Sequence, residues 1–247
     1  MSELEKPWPL AGRRGGLALA IFAALAVVGL AALVDRPVSA WAQQWPAELR
    51  AFFGVVTGFG KSDWILVPSL ALTALFALLA RLPLGTLRKL AFRQLAALSG
   101  FVFLGVGLPG LVANLVKRAI GRGRPEMFDQ VGAFDFQVFA GSARFESFPS
   151  GHATTAMAFC LVVAFLAPRG FRDMLLLSLL VVVSRVIVGA HYPSDVLAGA
   201  ALGTLGAYAV RNLFAKRGWV FEVTADGRIR PRGLAPLRRI FRRPRPT

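Results

Sequence analysis

Long apolar runs separated by short polar or basic stretches set the pattern of this chain. Six runs stand out, at about residues 16–34, 64–80, 94–116, 152–167, 174–190 and 195–214. A helix of about twenty residues, rising about 1.5 Å per residue, matches a hydrocarbon core of roughly 30 Å. The pattern therefore predicts an all-α fold, a bundle of six transmembrane helices. The fourth and fifth runs are slightly short and hold polar residues, so they are expected to face neighbouring helices. Residues 51–60 are apolar but too short to span, and predict an interfacial or partly inserted helix. Trp41, Trp45 and Trp64 are then expected near the headgroup belt. After residue 214, alternation from Trp219 to Val223 meets Asp226-Gly227 and Arg228-Ile229-Arg230, which predicts a small hairpin. The stretch from Leu237 to Pro246 reads as a disordered, basic tail drawn to lipid surfaces. The division is thus a short segment 1–15, a helical domain 16–214 and a basic tail 215–247. No internal repeat is visible.

Composition agrees with a membrane chain. Hydrophobic residues make up 55% and charged residues 17%, with mean hydropathy +0.58, which excludes an ordinary soluble domain of this length. The formal net charge is +16, but the basic residues avoid the apolar runs and collect between and after them. That placement points to a topology signal and to anionic lipid headgroups as partners, and away from nucleic acid, for which no binding module accompanies the charge. The lone Cys160 excludes an intrachain disulfide and lies inside an apolar run, where it reads as a small buried hydrophobe. Arg13-Arg14 precede a stretch longer than a signal peptide's apolar core, although Val38-Ser39-Ala40 loosely resembles a cleavage site.

Charge also orients the helices. The N-terminal segment (Lys6, Arg13, Arg14), the second connection (Arg81, Arg88, Lys89, Arg93), the fourth (Arg169, Arg172) and the tail are basic, and belong on the cytoplasmic side with both termini. The first connection balances Arg36, Arg50 and Lys61 against Asp35, Glu48 and Asp63, as an exported loop should. The third breaks the rule, carrying Lys117, Arg118, Arg122, Arg124 and Arg144 on the outer side, and anion binding supplies a reason. The same alternation brings Lys117, His152, Arg185, His191 and Asp195 to one membrane face. Six phenylalanines in 126–148 (Phe128, Phe134, Phe136, Phe139, Phe145 and Phe148) suit either loop packing or a loop that dips towards lipid tails.

Three polar stretches carry the candidate chemistry. Lys117 and Arg124-Pro125 could neutralise a phosphoryl group, the guanidinium as a planar fork and the ammonium as a point charge; a juxtamembrane basic run is the plainer reading. In Pro149-Ser150-Gly151-His152, Ser150 is a candidate N-cap, and free backbone N–H groups at a helix start bind anions. Gly151 permits close approach, and His152 in the first turn could protonate a leaving oxygen. Without the other stretches a simple helix cap is the better reading of this one. Arg185 inside an apolar helix needs an interior partner. His191 and Asp195 stand four residues apart, so a carboxylate could hold the imidazole tautomer that leaves the other nitrogen free to attack; a capping pair at a helix start is the alternative. The two histidines, His152 and His191, are the chain's whole complement. No metal-ligand spacing is apparent and no cofactor is implied.

Lys117-x6-Arg124-Pro125, Pro149-Ser150-Gly151-His152 and Ser184-Arg185-x5-His191-x3-Asp195 together resemble the three-part signature of the type-2 phosphatidic acid phosphatase family, over residues 117–195. The resemblance implies metal-independent phosphatase chemistry through a phosphohistidine. His191 would be the nucleophile, Asp195 its orienting partner, and His152 the acid for the leaving group and then the base for water. Lys117, Arg124 and Arg185 would hold phosphoryl oxygens, with Ser150 and the Gly151 backbone completing the cradle. The expectation is a bacterial inner-membrane enzyme with a periplasmic site, acting on an envelope lipid: undecaprenyl pyrophosphate, a lipid A phosphate, phosphatidylglycerol phosphate or phosphatidic acid. A phosphotransferase using the same phosphohistidine, a vanadium haloperoxidase and a non-catalytic phospholipid-binding protein are the rival readings. Oligomeric state is not legible.

Overall fold

A computed structural model describes residues 2–9, 13–128, 132 and 135–233. The basic stretch 237–246 and Phe134 lie outside these residues. Among the described residues, besides a single turn at Ser2–Glu5, eight helices carry the architecture: α1 (Arg13–Leu33), α2 (Asp35–Gln43), α3 (Ala47–Val56), α4 (Asp63–Leu79), α5 (Thr86–Ile120), α6 (Gly151–Leu166), α7 (Phe171–Ile187) and α8 (Pro193–Lys216). A hairpin of β1 (Phe221–Val223) against β2 (Ile229–Pro231) follows, as the alternation and the Asp226-Gly227 turn anticipate.

Among the described residues two helices are long and apolar enough to cross a membrane, Ala47–Leu79 and Thr86–Ile120. The pair Ala24–Leu33 and Asp35–Gln43, bent by 56°, makes a third if it is one span. Helix α6 is apolar beyond His152, Thr154 and Thr155 but has 16 residues, and α7 has 17 with Arg172, Asp173 and Arg185 on it. The segment expected to lie apart at the interface instead joins α4 through a 3-10 turn at Thr57–Gly60, and the whole reads as one apolar element of 33 residues. Helix α5 also exceeds its expected run, with 35 residues, or about 52 Å at the rise of an α-helix. Arg88, Lys89 and Arg93 are good helix formers, so the helix continues where the apolar signal stops.

Helices α5, α6 and α8 form the centre. Phe101 and Val106 of α5, Val162 and Phe165 of α6, and Tyr208 and Phe214 of α8 are buried together with Phe221 and Ile229 of the hairpin. Glycines let α8 lie directly on α6. A Cβ at Gly203 would strike the Thr154 carbonyl, and one at Gly199 the Ser150 carbonyl. Arg211, 1% exposed, closes one end of this core: its guanidinium donates to the Leu4, Lys6 and Pro7 carbonyls and lies over the Phe165 and Tyr208 rings. The N-terminal segment and the hairpin therefore pack at the same end. Large apolar side chains remain exposed around the outside, among them Leu70 and Leu78 on α4, Leu111 and Leu115 on α5, and Leu176 and Leu180 on α7.

Candidate active site

The other end of α5 gathers the polar residues. Gly121, in the left-handed region at φ 65°, ends α5, and the chain turns back through Arg122 and Arg124. The Arg122 carbonyl accepts from Ser147 N at 3.1 Å and Arg124 N donates to the Arg144 carbonyl at 2.9 Å, so the loop strand is pinned on both sides. Lys117, in the last turn of α5 and 8% exposed, points at the start of α6: a Cβ on Gly151 would lie 3.6 Å from its Nζ. Ser150 is the N-cap there and accepts from Ala153 N at 3.5 Å, the long end of hydrogen-bond range. Its own N donates to the Asp195 carbonyl at 3.0 Å, which ties the start of α6 to the start of α8.

Helix α7 ends by folding over its last carbonyls. Gly189 takes φ 72°, and the Ala190 and His191 N–H groups donate to the Arg185 carbonyl at 3.1 and 3.2 Å. This turn brings His191 beside Arg185. The Arg185 side chain is buried; its Nη1 donates to Thr57 Oγ1 at 2.6 Å, while its Nε has no hydrogen-bond partner among the described residues. Arg124 Nε is likewise buried and without one. His152 sits within electrostatic reach of Arg185, His191, Lys117 and Lys61, and packs on Gly60.

His191 is 2% exposed. Its Nδ1 faces the Ser147 carbonyl at 2.8 Å, and a carbonyl can only accept, so Nδ1 carries the proton and Nε2 keeps its lone pair. Asp195 Oδ2 lies 3.8 Å from Nδ1, too far for a hydrogen bond. The tautomer is thus set by Ser147, and Asp195 acts by its charge, a correction to the direct carboxylate contact anticipated from spacing. Burial pushes the His191 imidazole down to about 4; Asp195 opposes that shift, and the Arg185 and Lys117 cations add to it.

Asp195 is wholly buried and fully engaged. Oδ2 accepts from Ser147 Oγ at 2.5 Å and from Tyr192 N at 2.9 Å, the second bond capping α8, so the capping reading of this residue also holds. Oδ1 accepts from Arg122 Nη1 at 2.6 Å. Arg122 reaches in the other direction to Asp35, Nη2 to Oδ2 at 2.8 Å, and lies over the Tyr192 ring at 4.5 Å. Burial works against its charge, yet Asp195 and Asp35 together hold its pKa above the ordinary value. Among the described residues no group of three or more His, Cys, Asp or Glu side chains could hold a metal ion.

The PAP2 superfamily model matches residues 98–219. A lipid A 1-phosphatase of Rhizobium johnstonii is 36% identical over 234 residues, covering 92% of this chain and 93% of that protein. The chain belongs to the PAP2 superfamily. A lipid A 1-phosphatase of Rhizobium etli is 38% identical over 84% of this chain and 89% of its own length. In fold, the chain is similar to a transmembrane PAP2-type phosphatidylglycerolphosphate phosphatase from Bacillus subtilis, with a TM-score of 0.54 at 22% identity, over 81% of this chain and 96% of that one. The eight site residues expected from sequence fall inside the PAP2 match and gather at one end of the bundle. Four others escaped the sequence reading. Ser147 and Thr57 are single hydroxyl residues with no local pattern. Arg122 belongs to the basic cluster expected to bind anions, yet its side chain pairs with two carboxylates of the protein itself. Asp35, outside the PAP2 match, balances the charge of a loop in the sequence; its place beside an apolar helix is the available signal.

Proposed function

We propose that the protein is a membrane lipid phosphatase that removes a phosphate from an envelope lipid through a phosphohistidine on His191, with the 1-phosphate of lipid A as substrate. The observation that carries the reading is the cluster around His191: an imidazole whose Nε2 keeps its lone pair beside Lys117 and Arg185, with Arg124 next to both cations, and with buried Nε–H groups on Arg124 and Arg185 that have no partner among the described residues. Such donors suit phosphoryl oxygens, whose developing charge is what phosphoryl transfer must stabilise. Lys117 and the open N–H groups of α6 beyond Ser150 add to that cradle.

In the first step His191 Nε2 forms a bond to phosphorus as the phosphorus–oxygen bond to the lipid breaks, and His152 delivers a proton to the departing oxygen. In the second, His152 takes a proton from water, which attacks phosphorus, and the N–P bond breaks to release inorganic phosphate and regenerate the imidazole. While phosphorylated, the His191 ring is cationic, and the Asp195 charge stabilises it.

A groove of about 420 Å³ supports a lipid as the leaving group. Its lining includes Ala156 and Phe159 of α6 and Leu177 and Val181 of α7. Ala156 lies one turn beyond His152 and Val181 one turn before Arg185, so each shares a helix face with a site residue. Its hydroxyl, Ser178, is satisfied by the Ala156 carbonyl at 2.9 Å. A hydrocarbon chain can run along this groove while its phosphate lies at His191. The full helical set, with six spans, a periplasmic site and cytoplasmic termini, belongs to the same proposal. The choice of lipid A rests on the two full-length relatives.

Phosphate release by purified protein across lipid A, undecaprenyl pyrophosphate, phosphatidylglycerol phosphate and phosphatidic acid tests the reading. The 1-phosphate of lipid A should be released fastest, chelator should leave the rate unchanged, and His191→Ala should lower it by on the order of 10³-fold or more while remaining folded. Wild-type turnover by His191→Ala would remove the assigned nucleophile. Phosphate passed to an acceptor lipid in place of water would favour the phosphotransferase.

A further inference from the structure

The buried charges beside His191 do not balance. Arg122 is one cation shared between two carboxylates, Asp195 at 2.6 Å and Asp35 at 2.8 Å, and all three side chains are at most 3% exposed. Ser194 locks the arrangement: its N donates to Asp35 Oδ1 at 2.9 Å, its Oγ to Asp35 Oδ2 at 2.5 Å, and Arg122 Nη1 reaches the same hydroxyl at 2.7 Å. Burying charges this deeply is costly, and an Arg–Asp pair alone would be neutral. A second buried carboxylate leaves this trio, taken by itself, with a net negative charge, set against the buried Lys117 and Arg185 cations on the other side of His191. Asp35 comes from the bend between α1 and α2, outside the segment that matches the PAP2 model.

We propose that Asp35 is a positioning residue for the reaction, acting through Arg122 and Asp195 on His191. It draws Nη2 of Arg122 away from Asp195, so that Asp195 keeps part of its charge for the ring. When Nε2 bonds to phosphorus with Nδ1 still protonated, the ring becomes cationic, and that uncancelled charge offsets it. The groups facing His191 are Asp195 at the start of α8, Arg185 on α7, Lys117 on α5 and His152 on α6. Three of these are cations or neutral bases, so the carboxylate charge delivered through Asp195 is the counterweight to the phosphate cradle. This inference rests on the phosphohistidine reading above.

The test is Asp35→Asn in the full-length, detergent-purified protein, with Asp35→Glu as the conservative variant and orthovanadate as a five-coordinate analogue of the reacting phosphorus. Asp35→Asn should lower kcat at least tenfold, leave KM for the lipid phosphate within twofold, and raise the vanadate inhibition constant by the same factor as kcat falls. Asp35→Glu should recover most of both. A mere loss of folded protein lowers kcat but leaves the vanadate constant unchanged, and that result would overturn the proposal, as would a folded Asp35→Asn with wild-type kcat. Should Asp35→Asn not fold, Ser194→Ala loosens the same bridge and should show a smaller fall in kcat with the same rise for vanadate; unchanged values would overturn the proposal. A wild type that releases no phosphate from any lipid removes the phosphatase reading itself, whereas an active wild type beside an unaffected Asp35→Asn removes only this one.

Discussion

His191 illustrates how far a single residue can be read from its surroundings. Its spacing from Asp195 anticipates a pair, but the ring is oriented by the Ser147 carbonyl at 2.8 Å, a backbone group that no side-chain pattern reports. The carboxylate is occupied by Arg122, Ser147 and Tyr192. Burial lowers the His191 pKa from 6.5 to about 4, so the proposed nucleophile stays neutral well into the acid range. The sign follows from linkage. A histidine depressed in the folded state takes up protons more readily when unfolded, so its contribution to stability is complete above about 6.5 and is lost as pH falls through about 4. Two measurements check this. The acid limb of kcat/KM should lie near the lower value, and thermal stability in detergent should fall across the same window. An acid limb at the ordinary histidine value would mean that the ring is solvated.

At the scale of elements, the apolar runs located α5, α6, α7 and α8 because burial of long apolar stretches dominates their sequence. Boundaries were less legible. Arg88, Lys89 and Arg93 extend α5 because basic residues favour helix where hydropathy falls silent. Residues 51–60 run on towards α4 because Thr57–Gly60 continues α3 as a tight turn, leaving only Lys61 and Ser62 between that turn and α4. The three site stretches were legible because they interrupt apolar sequence. What sequence could not supply is how closely α8 approaches α6. Gly199 and Gly203 allow backbone contact, and that contact sets Asp195 against Ser150. Gly203→Val forces the helices apart and should cost about 1–3 kcal/mol, the usual penalty of overpacking. Thermal unfolding in detergent measures it, and an unchanged melting temperature would show that the helices do not meet there. Activity should fall with it, because the N-terminus of α6 moves with the helix.

For the whole molecule, the two ends of the bundle differ in kind. One end is closed by Arg211, the N-terminal segment and the hairpin; the other holds Lys117, Arg124 and Arg185, the cations proposed to bind phosphate. Basic connections near the first end argue for a cytoplasmic location, and the basic cluster at the second is explained by chemistry instead of topology. A cysteine at Val138, 62% exposed beside the site, should react with a membrane-impermeant thiol reagent added outside the inner membrane. One at Leu82, 42% exposed before α5, should react only after permeabilisation. The reverse pattern would invert the orientation. The buried Cys160 gives little background.

The covalent step remains the part of the account most open to direct measurement. Protein mixed with lipid carrying a labelled phosphate and quenched in alkali, which preserves an N–P bond, should yield label on the peptide containing His191, and none from His191→Ala. Label on another residue, or rapid turnover with His191 never phosphorylated, would contradict it.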